Sequence, residues 1–395
     1  MKILLHDYGG YAFTRQLAEA LASRNHWVEY VYSETTQSIR RSGSNSYRSN
    51  FIATGIKLSQ TFEKYSYLQR RSCEIEHGQK LSAEIQKVQP DIVISADAPL
   101  DAQRLALQAS RVVGAKFVFW LQDAIGLATR QVLRKRLPIL GNWIGAYYQQ
   151  LEKRMVRASD QVILISEDFW PLMKGWGIAA EKIHVIPNWA PLNEIVEQPK
   201  QNAWAAVHGL AEPFCFLYSG ILGLKHTPEL FIRLAQSLRS KPDVRVVVVS
   251  EGGGADWLTR KKEALGLDNL IVLPFQAVEV YPQVLGAADV LVSVLNAEAG
   301  AFSVPSKVLT YLCAGRPLLL SVPVNNLAAR TVLEAQAGLV SAPAEVDQWL
   351  GQAGQLYADS ALRSQLGSAA RAYAEQVFDI EKITDHFEAI LTTMV

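Results

Sequence analysis

Cysteine, methionine and net charge are all scarce in this chain. Its 395 residues include three cysteines and four methionines, and 39 Lys and Arg stand against 38 Asp and Glu, a net charge of +1. A near-neutral total provides no whole-molecule field for steering toward nucleic acid. Cys73, Cys215 and Cys313 are odd in number and lack metal-ligand spacing, which disfavours a disulfide framework and a cysteine-built zinc site. Cys215 lies in a strand-like run and Cys313 in a helix-like one, as expected of buried thiols in a reducing compartment. No apolar run approaches the roughly 18 residues of a membrane-spanning helix. The start, Met1-Lys2-Ile3-Leu4-Leu5-His6-Asp7, meets acidic and glycine residues without the long apolar stretch of a secretion signal. The expectation is a cytoplasmic protein whose membrane contact, where it has any, is peripheral. No G-x-G-x-x-G is found, which disfavours a nicotinamide dinucleotide, and no nucleophile motif stands out.

What the sequence does contain is repeated alternation. Short apolar runs at Lys2–His6, Trp27–Tyr32, Asp91–Ala96, Lys116–Leu121, Gln161–Ile165 and Ile183–Ile186 read as strands, with helical periods between them, such as Phe13, Leu17, Ala20 and Leu21. The pattern restarts with strands at Phe214–Ser219, Arg245–Ser250, Leu270–Leu273, Val290–Val294 and Leu318–Ser321, and another beginning at Leu339–Val340. Helices read at Pro228–Leu238 and at Ser306–Ala314, the latter stopped by Gly315-Arg316-Pro317. Strands apolar throughout and alternating with helices imply α/β units with parallel sheets covered on both faces. The expected organisation is a Rossmann-like domain at 1–190, a linker at 191–211 with a short helix near Trp204, a second Rossmann-like domain at 212–375, and a C-terminal helix at 376–395. Two such sheets in tandem would bring the carboxyl ends of their strands to face each other across a cleft.

The chemistry-bearing residues sit where strands give way to helices. In Ser219-Gly220-Ile221-Leu222-Gly223-Leu224-Lys225-His226, glycines, backbone N–H groups and a lysine suit an anion. One lysine charge at about 4 Å in an effective dielectric near 20 is worth about 4 kcal/mol against a diphosphate oxygen. The same residues also fit an ordinary strand-to-helix connection with an exposed lysine. Glu298-Ala299-Gly300-Ala301-Phe302-Ser303-Val304-Pro305-Ser306-Lys307 precedes a helix that Ser306 can cap; it reads as a second anion site, or as a capped helix with an incidental lysine. Glu251-Gly252-Gly253-Gly254 leaves space for a ribose or ring, and Phe275 reads as a core residue or as packing for a base. In the first half, His6-Asp7-Tyr8-Gly9-Gly10 is another glycine loop. Trp120-Leu121-Gln122-Asp123 ends a strand in polar groups, with Asp123 either accepting a proton from a hydroxyl or capping a helix.

Together these stretches resemble the family 4 retaining glycosyltransferases of the GT-B fold, most closely the bacterial exopolysaccharide and O-antigen type. The matching pieces are 218–226, Ile186-Pro187-Asn188-Trp189, the 250–254 loop, Ala288-Asp289-Val290 and 304–317, in the family's order over nearly the whole chain. The resemblance implies a nucleotide-diphosphate sugar donor bound mainly by the second domain and an acceptor against the first, with Tyr8, Gly9, Gly10 and Gln122 on the acceptor side. It gives Lys225 the diphosphate, assisted by the backbone of 220–223 including Gly220 and Gly223. Gly300, Ala301, Phe302 and Ser303 would touch the sugar, and Glu251 and Gly252 would lie beside the nucleoside. The C-terminal helix would cross back onto the first domain. The chain departs from the family's pair of glutamates seven residues apart: Phe302 and Thr310 hold those positions, and Glu298 lies upstream.

The implied chemistry is α-retaining transfer in which Lys225, Lys307 and loop amides stabilise the departing diphosphate, domain closure excludes water, and no metal or other cofactor takes part. Two readings compete: a sugar-nucleotide epimerase of similar shape, and a non-catalytic nucleotide-sugar binding protein. Basic residues interleaved with aromatics suit an anionic membrane surface and a lipid-linked saccharide acceptor. One such stretch runs from Arg40 and Arg41 through Arg48, Lys57 and Lys64 to Arg70 and Arg71. The other runs from Arg130 through Arg134-Lys135-Arg136 to Lys153, Arg154 and Arg157, with Trp143, Tyr147 and Tyr148 between. Solvated basic helix faces fit the same residues; nucleic acid fits less well, since no recognition module is present.

Overall fold

The valine- and leucine-rich runs become parallel strands buried on both faces, as helix-covered sheets require. The computed structural model describes residues 1–34, 48–59, 67–136, 139–223, 226–298 and 306–395. Within them the chain divides into two units, Met1–Asn188 with Ile380–Val395, and Trp189–Asp379.

The first unit runs β1 (Lys2–Asp7), α1 (Ala12–Ser23), β2 (Trp27–Ser33), β3 (Phe51–Ile56), α2 (Tyr67–Val88), β4 (Ile92–Ala96), α3 (Leu100–Val112), β5 (Lys116–Leu121), α4 (Ile125–Arg136), α5 (Leu140–Ala158), β6 (Gln161–Leu164), α6 (Trp170–Gly175) and β7 (Ile183–Val185). Its sheet has the order β3-β2-β1-β4-β5-β6-β7, with every described pairing parallel. Strand order therefore reverses between β1 and β4, where Leu5 is flanked by Tyr30 and Ile94. Strand β3 was not expected from the sequence. It is an edge strand containing Thr54 and Gly55, largely exposed at Ile52 and Ala53, so it lacks the apolar run that marks the interior strands.

The last helix, α15 (Ile380–Thr392), belongs to this first unit. Phe387 is fully buried with its ring 4.9 Å from that of Trp120. Arg24 at the end of α1 pairs with Glu381 at 2.9 Å, Asp385 at 2.5 Å and Glu388 at 2.9 Å, and His26 Nε2 meets Glu388 at 2.8 Å. Apolar burial supplies most of the attachment, and the partly exposed ion pairs set its register.

The second unit runs α7 (Ala203–Val207), β8 (Phe214–Ser219), α8 (Glu229–Ser237), β9 (Val244–Val249), α9 (Gly253–Leu265), β10 (Leu270–Leu273), α10 (Tyr281–Gly286), β11 (Val290–Val294), α11 (Lys307–Cys313), β12 (Leu318–Ser321), α12 (Leu327–Glu334), β13 (Gly338–Ser341), α13 (Val346–Ala358) and α14 (Ser360–Val377). Its sheet has the order β10-β9-β8-β11-β12-β13, so the reversal falls between β8 and β11.

Residues 191–211, expected as a linker, are instead folded into the second unit. Asn202 caps α7 and its Nδ2 donates to the Gln283 carbonyl at 2.9 Å, while Trp204 Nε1 donates to Gln276 Oε1 at 2.9 Å. Lys200 pairs with Asp289, whose carboxylate also accepts the Cys215 N–H at 2.7 Å. Arg316 spans the Gln198 and Gly286 carbonyls at 2.8 Å each. The prolines and polar residues that suggested a tether thus terminate helices and satisfy buried backbone groups. All three cysteines are buried and unpaired. Among the described residues no helix is long and apolar enough to cross a membrane.

Phe387→Ala removes a ring buried against Trp120 and should destabilise the first unit by about 3–5 kcal/mol, read as a lower urea midpoint; an unchanged midpoint would mean that α15 contributes little to this core.

Candidate functional site

In the second unit, the loops leaving β8 and β9 and the start of α11 meet at the carboxyl end of the sheet, beside its reversal. Tyr311, fully buried on α11, draws these pieces together: its hydroxyl accepts the Ser219 N–H at 2.8 Å and lies 3.1 Å from the Ser219 carbonyl. This fixes the first turn of α11 against the end of β8. The Lys307 ammonium then lies 3.8 Å from the Tyr218 ring centroid and donates to the Tyr218 hydroxyl, which itself donates to the Ile221 carbonyl at 2.8 Å. Gly220 has φ +149, and a Cβ there would stand 2.8 Å from Lys307 Cε and 2.9 Å from Nζ. A side chain at 220 would meet the far end of the flexible Lys307 side chain, which can shift, so the positive φ is the firmer ground for glycine here.

The loop amides behave differently from the expectation. The N–H of Gly220 donates to the Val249 carbonyl at 3.1 Å, that of Leu222 to Ser250 Oγ at 2.9 Å, and that of Gly223 to His226 Nδ1 at 3.0 Å. Three of the four amides of 220–223 are thus taken by protein partners, two of them at the end of β9. Ser306 does not cap α11: its backbone is helical, with φ −56 and ψ −25, and its side chain accepts no N–H of the first turn. A cap needs an extended backbone to turn its oxygen onto those N–H groups. Among the described residues, Lys307 carries the positive character of this corner. Thr310 is half-buried one turn further along α11, and Glu298 is exposed after β11. Glu251 Oε1 accepts the Phe275 N–H at 3.3 Å, joining the loops after β9 and β10, and Gly252, φ +91, precedes α9.

In the first unit the equivalent corner is acidic. Asp7 is fully buried at the end of β1 and accepts from Gly9 N at 3.0 Å, Tyr11 N at 2.6 Å and Thr14 Oγ1 at 2.5 Å. Burial, and next the neighbouring Asp97, raise its carboxyl to about 7, against the lowering effect of those hydrogen bonds. Asp97 follows β4 with φ +38, a strained backbone for a residue with a side chain, and burial raises its carboxyl too. The amides of Gly9 and Tyr11 are committed to Asp7, and Gly10 turns with φ +66. Tyr8, expected on the acceptor side, is buried, with its ring 4.7 Å from that of His77 on α2. His6 Nε2 and His77 Nε2 are 2.9 Å apart, and burial holds both imidazoles below their ordinary value, His77 at about 4.

Gln122 and Asp123, at the end of β5, line a small cavity with Asp97 and Glu152. Gln122 Oε1 accepts from Asn188 Nδ2 at 2.5 Å, which explains the asparagine of Ile186-Pro187-Asn188-Trp189. Asp123 is exposed. Glu152, on α5, is fully buried and takes the Gly126 N–H on Oε2 at 3.1 Å; burial raises its carboxyl to about 8, with Asp123 adding a little. Nothing in the sequence marked Glu152 or Asp97, and Asp7 stood in a glycine loop with no sign of its burial, since each looks like a surface acid until the strand ends are assembled. Tyr218 and Tyr311 were hidden as apolar members of a strand and a helix. Lys225, Gly300, Ala301, Phe302 and Ser303 lie outside the described residues, as do Arg40, Arg41 and Lys64 and the side chains of Lys135 and Arg136.

The two basic stretches separate into structural and exposed parts. Arg130 binds Asn142 Oδ1 at 3.3 Å and Gln149 Oε1 at 2.8 Å, Tyr148 donates to Asp101 at 3.0 Å, and Arg157 donates to the Trp176 carbonyl at 2.7 Å. Arg70 and Arg71 pair with Glu74 and Asp101. Ile139, Leu140, Trp143 and Tyr147 stand out to solvent at the start of α5, Trp143 at 74% exposure, and Arg134 and Arg154 are exposed on the same hairpin. Among the described residues no group of three or more His, Cys, Asp or Glu is placed to hold a metal ion.

Comparison with known proteins agrees with this architecture. The family model Glycosyltransferase Family 4 matches residues 9–194, and the model Glycosyl transferases group 1 matches residues 200–373. The chain is 24% identical over 290 residues to WcaI of Escherichia coli (strain K12), covering 70% of this chain and 68% of that protein, whose name assigns it to colanic acid biosynthesis as a glycosyl transferase. It is similar in structure to Anabaena HepE in complex with UDP, with TM-score 0.72 and 16% identity over 100% of both chains. It also resembles sucrose-phosphate synthase from Thermosynechococcus elongatus, with TM-score 0.75 and 15% identity over 100% of this chain and 99% of that one. These likenesses, with the two parallel sheets, establish the GT-B fold.

The raised Glu152 carboxyl has a consequence for stability. The folded state holds its proton up to about pH 8, whereas the unfolded chain releases it near 4.5. Its contribution is full below the unfolded value and is lost as pH rises through the folded one. Glu152→Gln should therefore lose less stability than the parent between about pH 6 and pH 9 in urea unfolding, since Asp7 acts equally in both proteins; parallel pH profiles would show Glu152 ionised in the native state.

Proposed function

The chain belongs to the family 4 glycosyltransferases of the GT-B fold, of the kind that serves polysaccharide biosynthesis, and from that premise we propose that it moves a sugar from a nucleotide-diphosphate donor to a hydroxyl of a lipid-linked saccharide, with retention of configuration. The observation that carries this reading is the Lys307 ammonium held against Gly220 at the reversal of the second sheet. Nucleotide ligands of doubly wound sheets bind at such reversals, and HepE has been solved with UDP-glucose.

In this reading the second unit holds the donor. The bond from the sugar C1 to the diphosphate oxygen breaks first, and negative charge grows on that oxygen. Lys307 is fixed by Tyr218 and Gly220 before the reaction begins, so it stabilises the charge without reorganising. Lys225, which the sequence carries between Gly223 and His226, adds a second positive charge, and Glu251 and Gly252 line the nucleoside. The acceptor oxygen bonds to C1 from the face the diphosphate leaves, and its proton passes to the departing phosphate oxygen. Asp123 and Gln122 of the first unit orient the acceptor hydroxyl.

The exposed Ile139, Leu140, Trp143 and Tyr147 beside Arg134 and Arg154 support a peripheral membrane role. An apolar stripe flanked by cations enters the headgroup region of an anionic bilayer, where a lipid-linked acceptor lies. On this reading the enzyme works on the inner face of the cell membrane.

Lys307→Met should lower the turnover number about 10²- to 10³-fold with UDP-glucose as first donor tested and a lipid extract as acceptor, Lys307→Arg less so; full activity in Lys307→Met would remove the mechanism. In pelleting with vesicles containing anionic lipid, the parent protein should sediment at low salt and Trp143→Ala should bind more weakly. Equal binding of both, or binding insensitive to salt, would remove the membrane surface proposed for α5.

A further inference from the structure

A second group of cations lies at the amino end of the second unit's sheet, opposite the corner of Lys307. There the turns entering β9 and β10 and the end of α9 line an open cavity of about 280 Å³, with Arg239, Lys241, Arg245 and Asp268 on its wall. Two bonds hold these turns to α8: Asn269 Nδ2 donates to the Ala235 carbonyl at 2.8 Å, and the Lys241 N–H to the Leu238 carbonyl at 3.0 Å. Arg245 is the one charge in β9, at the single position of that strand that is not buried.

The three cations are held by uncharged groups. Arg239 donates to the Gly266 carbonyl at 3.3 Å, and Arg245 to the Pro242 and Val244 carbonyls at 2.8 and 2.9 Å. The Lys241 ammonium lies 5.5 Å from the Tyr357 ring centroid. None of the three pairs with a carboxylate among the described residues. Asp243, between Lys241 and Arg245 in sequence, takes the Tyr357 hydroxyl at 3.1 and 2.9 Å and stays off the cavity wall. Carbonyls and a ring orient a cation but leave its charge uncompensated. The wall therefore presents three cations against one acid, Asp268, a net charge of +2.

That charge selects among anions. A carboxylate or a phosphate diester, each a monoanion, offsets half of it. A phosphate monoester carries close to two negative charges at neutral pH and three acceptor oxygens, one for each cation. The volume admits such a group with a small remainder, being near the lower end of ligand cavities, about 300 Å³. The six residues of β9 put about 20 Å between this cavity and the loop after that strand, so one diphosphate cannot fill both ends.

We propose that this cavity binds a dianionic phosphate monoester, with Arg239, Lys241 and Arg245 as donors and Asp268 opposing the anion. A free ester and a monoester lipid headgroup present the same group.

The test uses the full-length protein. Calorimetric titration with glycerol 3-phosphate, in saturating UDP to occupy the donor corner, should show binding, with dimethyl phosphate at least tenfold weaker. Arg239→Ala and Arg245→Ala should each weaken the monoester about tenfold. Asp268→Asn should strengthen it about threefold, a gain that damage to the fold would not produce. Pelleting with vesicles containing phosphatidic acid or phosphatidylglycerol reads the lipid source separately. Binding of the free ester supports a soluble ligand. A preference for phosphatidic acid that Arg245→Ala abolishes, without binding of the free ester, supports the headgroup. Binding of neither source, equal binding of dimethyl phosphate, parent-like affinity in both arginine variants, or weaker binding in Asp268→Asn would overturn the site.

Discussion

One lysine against one glycine organises the second unit's chemistry. Lys307 lies over Tyr218 in the space that Gly220 leaves open, and Tyr311 ties the helix that carries it to the end of β8. A charge fixed in this way is worth about 4 kcal/mol at about 4 Å in an effective dielectric near 20, comparable to what one preorganised donor contributes to catalysis. The two tyrosines belong to this device as much as the lysine does: one gives the ammonium its resting place, and the other sets the register of the helix that carries it.

The two units use their strand reversals with opposite polarity. In the second, a cation stands beside loop amides that are mostly taken by protein partners, two of them at the end of β9. In the first, Asp7, Asp97 and Glu152 gather at the ends of β1, β4 and β5, and burial raises the carboxyl of each above its ordinary value. The same α/β scaffold thus carries a basic corner and an acidic one, set by which side chains follow the strands.

The sheets were largely legible because their strands are apolar on both faces. Phe214–Ser219, Leu270–Leu273, Val290–Val294 and Leu318–Ser321 fall where the apolar runs place them. Edge strand β3 was not legible, since two of its six residues are exposed and only one is fully buried. The glycine and lysine positions could be read from their spacing, so Gly220 and Lys307 emerged as neighbours in function before they were seen as neighbours in space. The buried acids could not, because a carboxylate's burial depends on elements far apart in sequence: Glu152 meets Gly126 from another helix, and Asp97 meets Asp7 from another strand. The polar stretch 191–211 misled for a related reason, as its side chains satisfy the second unit's backbone rather than water.

A crystal structure with UDP bound tests the central claim most directly. The account predicts the diphosphate beside Gly220, with one of its oxygens about 3 Å from the Lys307 ammonium. A diphosphate bound elsewhere, with Lys307 still resting on Tyr218, would contradict it.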